Sequence, residues 1–235
     1  MITACFYRGY ELGNGVNDWA AAVGGLTPAA LTNTLYGDKV SIAAVGANSY
    51  RRIEVNFFRF GIDASPRAFH LWWESLVVNI MRSDPELRSI GGELCFVEDK
   101  VGDLLPTLTA PPASGGLTLE LTDDTLVSIG DTLLIIDTSM DDARHFDVVV
   151  VTSLVGDGFT INVESIQTTT HNPLSPGLHY DYLAADAEVY RLEAVFQHCL
   201  IQTAPELGAA EEGSRAHFRR SIIMSFLTNE DRYGV

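Results

Sequence analysis

Between Asp103 and Glu188 the chain carries 14 acidic residues and one basic residue, Arg144, while the other 149 residues carry 17 acidic and 14 basic. The middle stretch therefore has a net charge of −13 and its two flanks together −3. A composition step this sharp, with both flanks near neutral, marks the middle as a unit separate from what surrounds it. Its position predicts a module, residues 103–188, inserted into a host domain made of residues 1–102 together with 189–235. The left boundary reads as a linker, Leu105–Gly116, where prolines remove donors and glycines restore freedom, so it is expected neither to pair nor to coil. The right boundary falls within Leu183–Glu188. No internal repeat is evident.

At 46% hydrophobic and 20% charged residues, the 235-residue chain has enough apolar material for a core. Its overall charge of −16 repels phosphate backbones and anionic lipid, so binding to either without sequence or site recognition is not expected. The first residues, Met1–Arg8, lack the pattern of a secretory signal. No apolar run approaches the roughly 18 residues that span a bilayer. Cys5, Cys95 and Cys199 are widely spaced and odd in number, as expected of buried thiols in a reducing compartment.

In the host, Ser65 and Pro66 suit a helix start, and Phe69, Trp72, Trp73, Leu76 and Ile80 recur at helical spacing, predicting one main helix from Pro66 to about Arg82. Strands are expected at Ile53–Phe60, Glu93–Glu98, Glu188–Phe196 and Phe218–Thr228. Gly13–Lys39 and Thr203–Arg215 read as long loops. The host is thus expected to be α+β, a sheet or sandwich with one main helix. In the module, the alternation Leu117, Leu119, Leu121, the segments Leu133–Asp137 and Asp147–Leu154, and Phe159–Val163 beyond Gly156-Asp157-Gly158 predict a small all-β barrel or sandwich.

Chemistry is sparse. His70, His145, His171, His179, His198 and His217 show no zinc spacing, and no nucleophile elbow or phosphate loop is present. Gly13-Asn14-Gly15 lacks the third glycine of a dinucleotide turn. The turn aspartates Asp123, Asp124, Asp131, Asp141, Asp142 and Asp157 lack the ligand rhythm of a calcium loop and read as a solvated acidic surface. The pairs Asp63 with Arg67, and Glu211-Glu212 with Arg215, read as solvated faces. Arg51, Arg52 and Arg59, with Arg219 and Arg220, suit phosphate or, better, the acidic surface of the module or of neighbouring copies. No catalytic, cofactor-binding or metal-binding residue is assigned, no cofactor is expected, and the chain reads as non-enzymatic.

The order Arg52–Arg59 strand, helix with Phe69-His70-Leu71-Trp72-Trp73, Val189–Phe196 strand and terminal strand ending Met224-Ser225-Phe226 resembles the tail-tube proteins of bacteriophages. Gly130–Ile135, Val150–Ile161 and Thr169-Thr170-His171 look like a small β-module recurring in phage virion proteins. The resemblance implies a structural virion protein of the tail tube or of a baseplate or tube-end ring. It implies a homo-oligomeric ring, usually six subunits, assembled in the host cytoplasm. Other tail or baseplate proteins are its partners, and DNA or tape-measure protein passes through the lumen without specific binding or membrane contact. The alternatives are a neck or tail-terminator protein, and a receptor- or glycan-binding module whose Phe146, Phe159, Tyr180 and Tyr182 line a shallow site.

Overall fold

The computed structural model of the chain describes residues 2–13, 16–23, 51–60, 92–98, 108–122, 127–137, 139, 145–167, 176–201, 206–213 and 217–228. Every regular element among them is a β-strand: β1 (Ile2–Tyr7), β2 (Tyr10–Gly13), β3 (Val16–Val23), β4 (Arg51–Phe60), β5 (Gly92–Glu98), β6 (Thr118–Glu120), β7 (Thr132–Asp137), β8 (Phe146–Leu154), β9 (Thr160–Ser165), β10 (Ala187–Ile201), β11 (Glu206–Gly213) and β12 (His217–Thr228). The α+β class expected from the sequence is corrected accordingly: the described residues form an all-β structure without a helix. The helix expected over Pro66–Arg82 lies outside the described residues.

Two of the expected loops also contain strands. Thr203–Arg215 holds β11 and Gly13–Lys39 holds β3. Their Ala, Gly, Asn and Asp residues conceal the apolar alternation, but ladder hydrogen bonds come from the backbone and are open to any non-proline residue. The four strands expected in the host appear as β4, β5, β10 and β12, with β10 extended to fifteen residues.

One antiparallel path runs β2-β1-β5-β10-β7-β8-β9-β6. A second ladder, β3-β4-β12-β11, joins it where Leu200 and Ile201 at the end of β10 pair with Leu227 and Phe226. The expected boundary at 188/189 falls inside β10, whose residues 187–192 pair with β7 and 192–199 with β5.

Strand β10 feeds three apolar cores. Ala194, Phe196, Cys199 and Ile201 enter the first, with Ile53, Val55, Leu94, Phe96, Met224 and Phe226. Ala187 and Val189 enter the second, the interior of the β6–β9 module, with Leu119, Leu133, Val149 and Ile161. Leu192 and Val195 enter the third, which draws Phe6, Cys95 and Val97 from β1 and β5 and Leu134, Ile136, Phe146 and Val148 from β7 and β8. All six residues of β7 are buried because alternate side chains serve different cores. That two-sided burial is why Leu133–Ile136 reads as an unbroken apolar run.

The β1–β2 hairpin turns through Arg8 (φ 54°) and Gly9 (φ 73°), the left-handed pair that a two-residue hairpin of matching twist requires. A Cβ at Gly9 would sit 3.0 Å from Phe146 Cβ. The turn of the first hairpin therefore rests against the first residue of β8. A polar chain reinforces the junction: Gln197 Nε2 donates to the Ile166 carbonyl at 2.6 Å, and Thr228 Oγ1 donates to the Gln197 carbonyl at 2.6 Å.

Candidate functional site

Asp147 lies in the apolar run that forms β8, and it is fully buried. A carboxylate there is tolerable only when hydrogen-bonded. The His179 backbone amide donates to both of its oxygens at 3.1 Å, His179 Nδ1 lies 2.5 Å from Oδ1, and the Tyr182 hydroxyl donates to Oδ2 at 2.8 Å. Nδ1 must carry a proton to donate to a carboxylate. Burial first, then the charge of Asp147, raises the Tyr182 hydroxyl well above its usual pKa, so it stays a donor.

This cluster fastens the segment 176–186 to β8 and, with it, the linker. Tyr182 N donates to the Pro112 carbonyl, Ser114 N to Asp181 Oδ1, Gly115 N to the Leu178 carbonyl and Leu178 N to the Gly116 carbonyl. A Cβ at Gly177 would overlap the Gly115 backbone, so this close approach requires glycine. The expectation of an unpaired linker is corrected for its described part: Leu108 bridges to Leu121, and Thr109 N donates to the Glu120 carbonyl. Both carboxylate oxygens of Asp147 are engaged in tying one loop to one strand, the geometry of a structural clasp.

The opposite end of the module is apolar and open. Leu154, Val155 and Phe159 flank the β8–β9 hairpin with 39%, 54% and 50% of their surface exposed, and Ile129 is 64% exposed. Leu154 pairs with the fully buried Ile161, so the second core runs outward here. The hydrogen bond from Gly130 N to the Val151 carbonyl brings the Ile129 turn alongside β8. The hairpin itself is fixed by Asp157, whose carboxylate accepts from Phe159 N, Thr160 N and the Thr160 hydroxyl. Those bonds, the Thr160 hydroxyl foremost, lower its pKa.

The sequence-predicted residues scatter over the structure. Of the four aromatics, Phe146 is buried in the third core and Tyr182 is buried on Asp147. Tyr180 is half-buried and stacks on His145 at 4.2 Å, and Phe159 stands at the open hairpin. The nine residues of β8 separate these last two places by about 25 Å, so the four do not line one site. Among the turn aspartates, Asp157 is consumed by its turn, and Asp131 accepts from Ser128 N and lies 3.6 Å from Arg191. Asp123, Asp124, Asp141 and Asp142 lie outside the described residues, as do His70, His171, Asp63, Arg67 and Arg215. Among the described residues no three His, Cys, Asp or Glu converge as a metal site. No helix among them is long and apolar enough to cross a membrane. Cys5, Cys95 and Cys199 are free and buried.

Sequence reasoning missed the clasp. Its one visible signal was an aspartate preceding four consecutive valines, Asp147–Val151; its partners lie 32 and 35 residues away.

No family model matches the chain, and no curated protein does. One solved structure similar to part of it is the Gp54 tailspike of Acinetobacter baumannii bacteriophage AP22 in complex with A. baumannii capsular saccharide. The identity is 17%, over 38% of this chain and 14% of that one, with a TM-score of 0.30. The match thus spans about one-seventh of that protein, and at this level of similarity it transfers neither fold nor ligand.

Proposed function

We propose that this chain is a non-enzymatic structural protein of a bacteriophage virion, working by contact with other protein subunits. The observation that carries the reading is the open apolar end of the module. A strongly acidic chain that leaves Ile129, Val155 and Phe159 at least half exposed is built to have them covered. In the finer reading, suggested by the tail-tube resemblance, residues 1–102 with 189–235 are the ring-building body and 103–188 its acidic module. The ring belongs to the tail tube, or to a baseplate or tube end, and its partners are copies of itself and other tail proteins. Among the described residues β3 and β11 each pair on one side only, and in this reading a neighbour completes the other edge.

Light scattering over a concentration series, with negative-stain images of the same samples, tests the reading. Closed rings are the expected result, and a monodisperse monomer at the highest concentration overturns it.

A receptor- or glycan-binding role is the second reading, favoured by the half-buried Tyr180 ring stacked on His145, an aromatic surface of the kind sugars use. A glycan array probed with the full chain separates the two. Binding abolished by Tyr180→Ala supports recognition, and an empty array supports architecture.

A further inference from the structure

We infer that the open end of the module is a docking tip for a protein other than this chain, one that sets apolar side chains among lysines or arginines. The inference rests on the reading above, in which the chain works by contact with protein subunits, and it names the chemistry of one partner.

The tip is built to stand out. Gly156 and Gly158 take φ of 87° and 91°, and a Cβ at Gly130, Gly156 or Gly158 would meet nothing within 4 Å, so the crests of both turns face open space. Between the two hairpin glycines, Asp157 locks the turn by accepting from Phe159 N, Thr160 N and the Thr160 hydroxyl. Leu154 pairs with Ile161, and Phe159 stands two residues before Ile161, so both prolong the apolar face of the second core beyond its end. An apolar tip already held in one conformation loses little freedom when a partner covers it.

The charges beside the tip select the partner. Asp157 is exposed on the crest, and the hydrogen bonds that lower its pKa keep it ionised at neutral pH. Glu120 is exposed on β6 and is the register partner of Thr160, whose carbonyl accepts from Val155 N. Asp131, two residues from Ile129, is already matched by Arg191 at 3.6 Å. The one basic residue of the acidic stretch, Arg144, precedes β8, whereas the tip follows it. Among these residues the carboxylates outnumber the cations. A second copy offering the same end would set Asp157 and Glu120 against their equivalents, and like charges repel. Anionic lipid is repelled in the same way. An apolar surface edged by lysine or arginine suits both features: burial of Leu154, Val155, Phe159 and Ile129 supplies the attraction, and the cations fix orientation and speed encounter.

The experiment titrates the full chain into three dye-labelled peptides and reads their fluorescence anisotropy. One carries a core of Leu, Ile and Phe flanked by lysines, the second the same core flanked by glutamates, and the third the lysines around a serine core. The first is expected to bind, and to bind less as added salt shortens the screening length below about 10 Å. The other two are expected to bind roughly tenfold more weakly or worse. Glu120→Lys is expected to weaken the first peptide and strengthen the second, each by about two- to fivefold, the range of an exposed ion pair. Val155→Glu with Phe159→Glu is expected to abolish binding with an unchanged strand signal in circular dichroism. Should that signal fall, Val155→Thr with Phe159→Thr replaces it. Equal binding of all three peptides, or binding that survives the tip variant, overturns the proposal. So does a tip variant that abolishes self-assembly in light scattering, which makes the occupant a second copy. Capture by neutral phosphatidylcholine vesicles of the natural chain but not the tip variant makes the occupant lipid and overturns it too. A first peptide that does not bind overturns the docking tip alone, because the ring reading stands or falls on the light-scattering series.

Discussion

The guanidinium carbon of Arg8 lies 5.1 Å from the centre of the Phe146 ring, joining the first hairpin of the chain to the first residue of β8. Arg8 also sits 3.3 Å from Glu93, which is fully buried, and one Glu93 oxygen, Oε1, has no hydrogen-bond partner among the described residues. Removing the arginine strands that carboxylate. Arg8→Ala is expected to destabilise the fold by about 3–5 kcal/mol. Arg8→Met combined with Glu93→Leu is expected to recover most of the loss, because two buried charges leave together. Urea denaturation of the single and double variants measures both.

Phe146 fills the third core, to which both the acidic stretch and its flanks contribute. Phe146→Ala is expected to cost about 3–5 kcal/mol, the usual loss for an aromatic deleted from a packed interior. The denaturation should remain one transition for probes placed in either part, because β10 serves all three cores.

The Tyr182 hydroxyl is one of the donors that keep the Asp147 carboxylate tolerable in the interior. Tyr182→Phe leaves the ring and removes the donor, so a loss of about 1–3 kcal/mol is expected. The folded state raises the pKa of this hydroxyl, so its contribution is fully present below the unfolded tyrosine value of about 10 and is lost as pH rises toward the folded value. Ultraviolet titration should show one tyrosine that ionises only as the protein unfolds.

Burial raises the Cys5 and Cys95 thiols, and all three cysteines are buried. Thiolate is the reactive form, so the native protein is expected to resist a thiol reagent at neutral pH. Under denaturing conditions all three should react, and the count of modified thiols checks this.

Asp157 is exposed, and its carboxylate is held below the ordinary range by the hairpin donors. A lowered pKa means that the hairpin gains from the charged form above the unfolded carboxylate value of about 3.9, and loses that gain as pH falls through the folded value. Amide resonances of Phe159 and Thr160 should report a midpoint below that of the other exposed aspartates. In Asp157→Ala they should lose that titration altogether.

Much of the strand content was legible in the sequence because alternation with period two survives wherever one face is buried: Ile53 and Val55 on β4, Met224 and Phe226 on β12, Ile161 and Val163 on β9. The hairpin at Gly156-Asp157-Gly158 was legible for another reason, since both glycines take positive φ there. β3 and β11 were not legible, because Val16–Val23 and Glu206–Gly213 lack the strict alternation of apolar and polar residues that marks a half-buried strand. The Asp147 clasp was equally hidden: a carboxylate and its donors more than thirty residues apart have no spacing rule to reveal them.

What the sequence by itself determined is the distribution of charge and most of the places where the chain runs extended, since both depend only on residue type and local period. The tertiary structure alone decided that β10 serves three cores, and that Phe6 and Val97 share one of them with Leu134 and Phe146. It alone decided which buried polar groups meet. Those outcomes depend on strand order and register, which are set by long-range packing and leave no local trace in the chain.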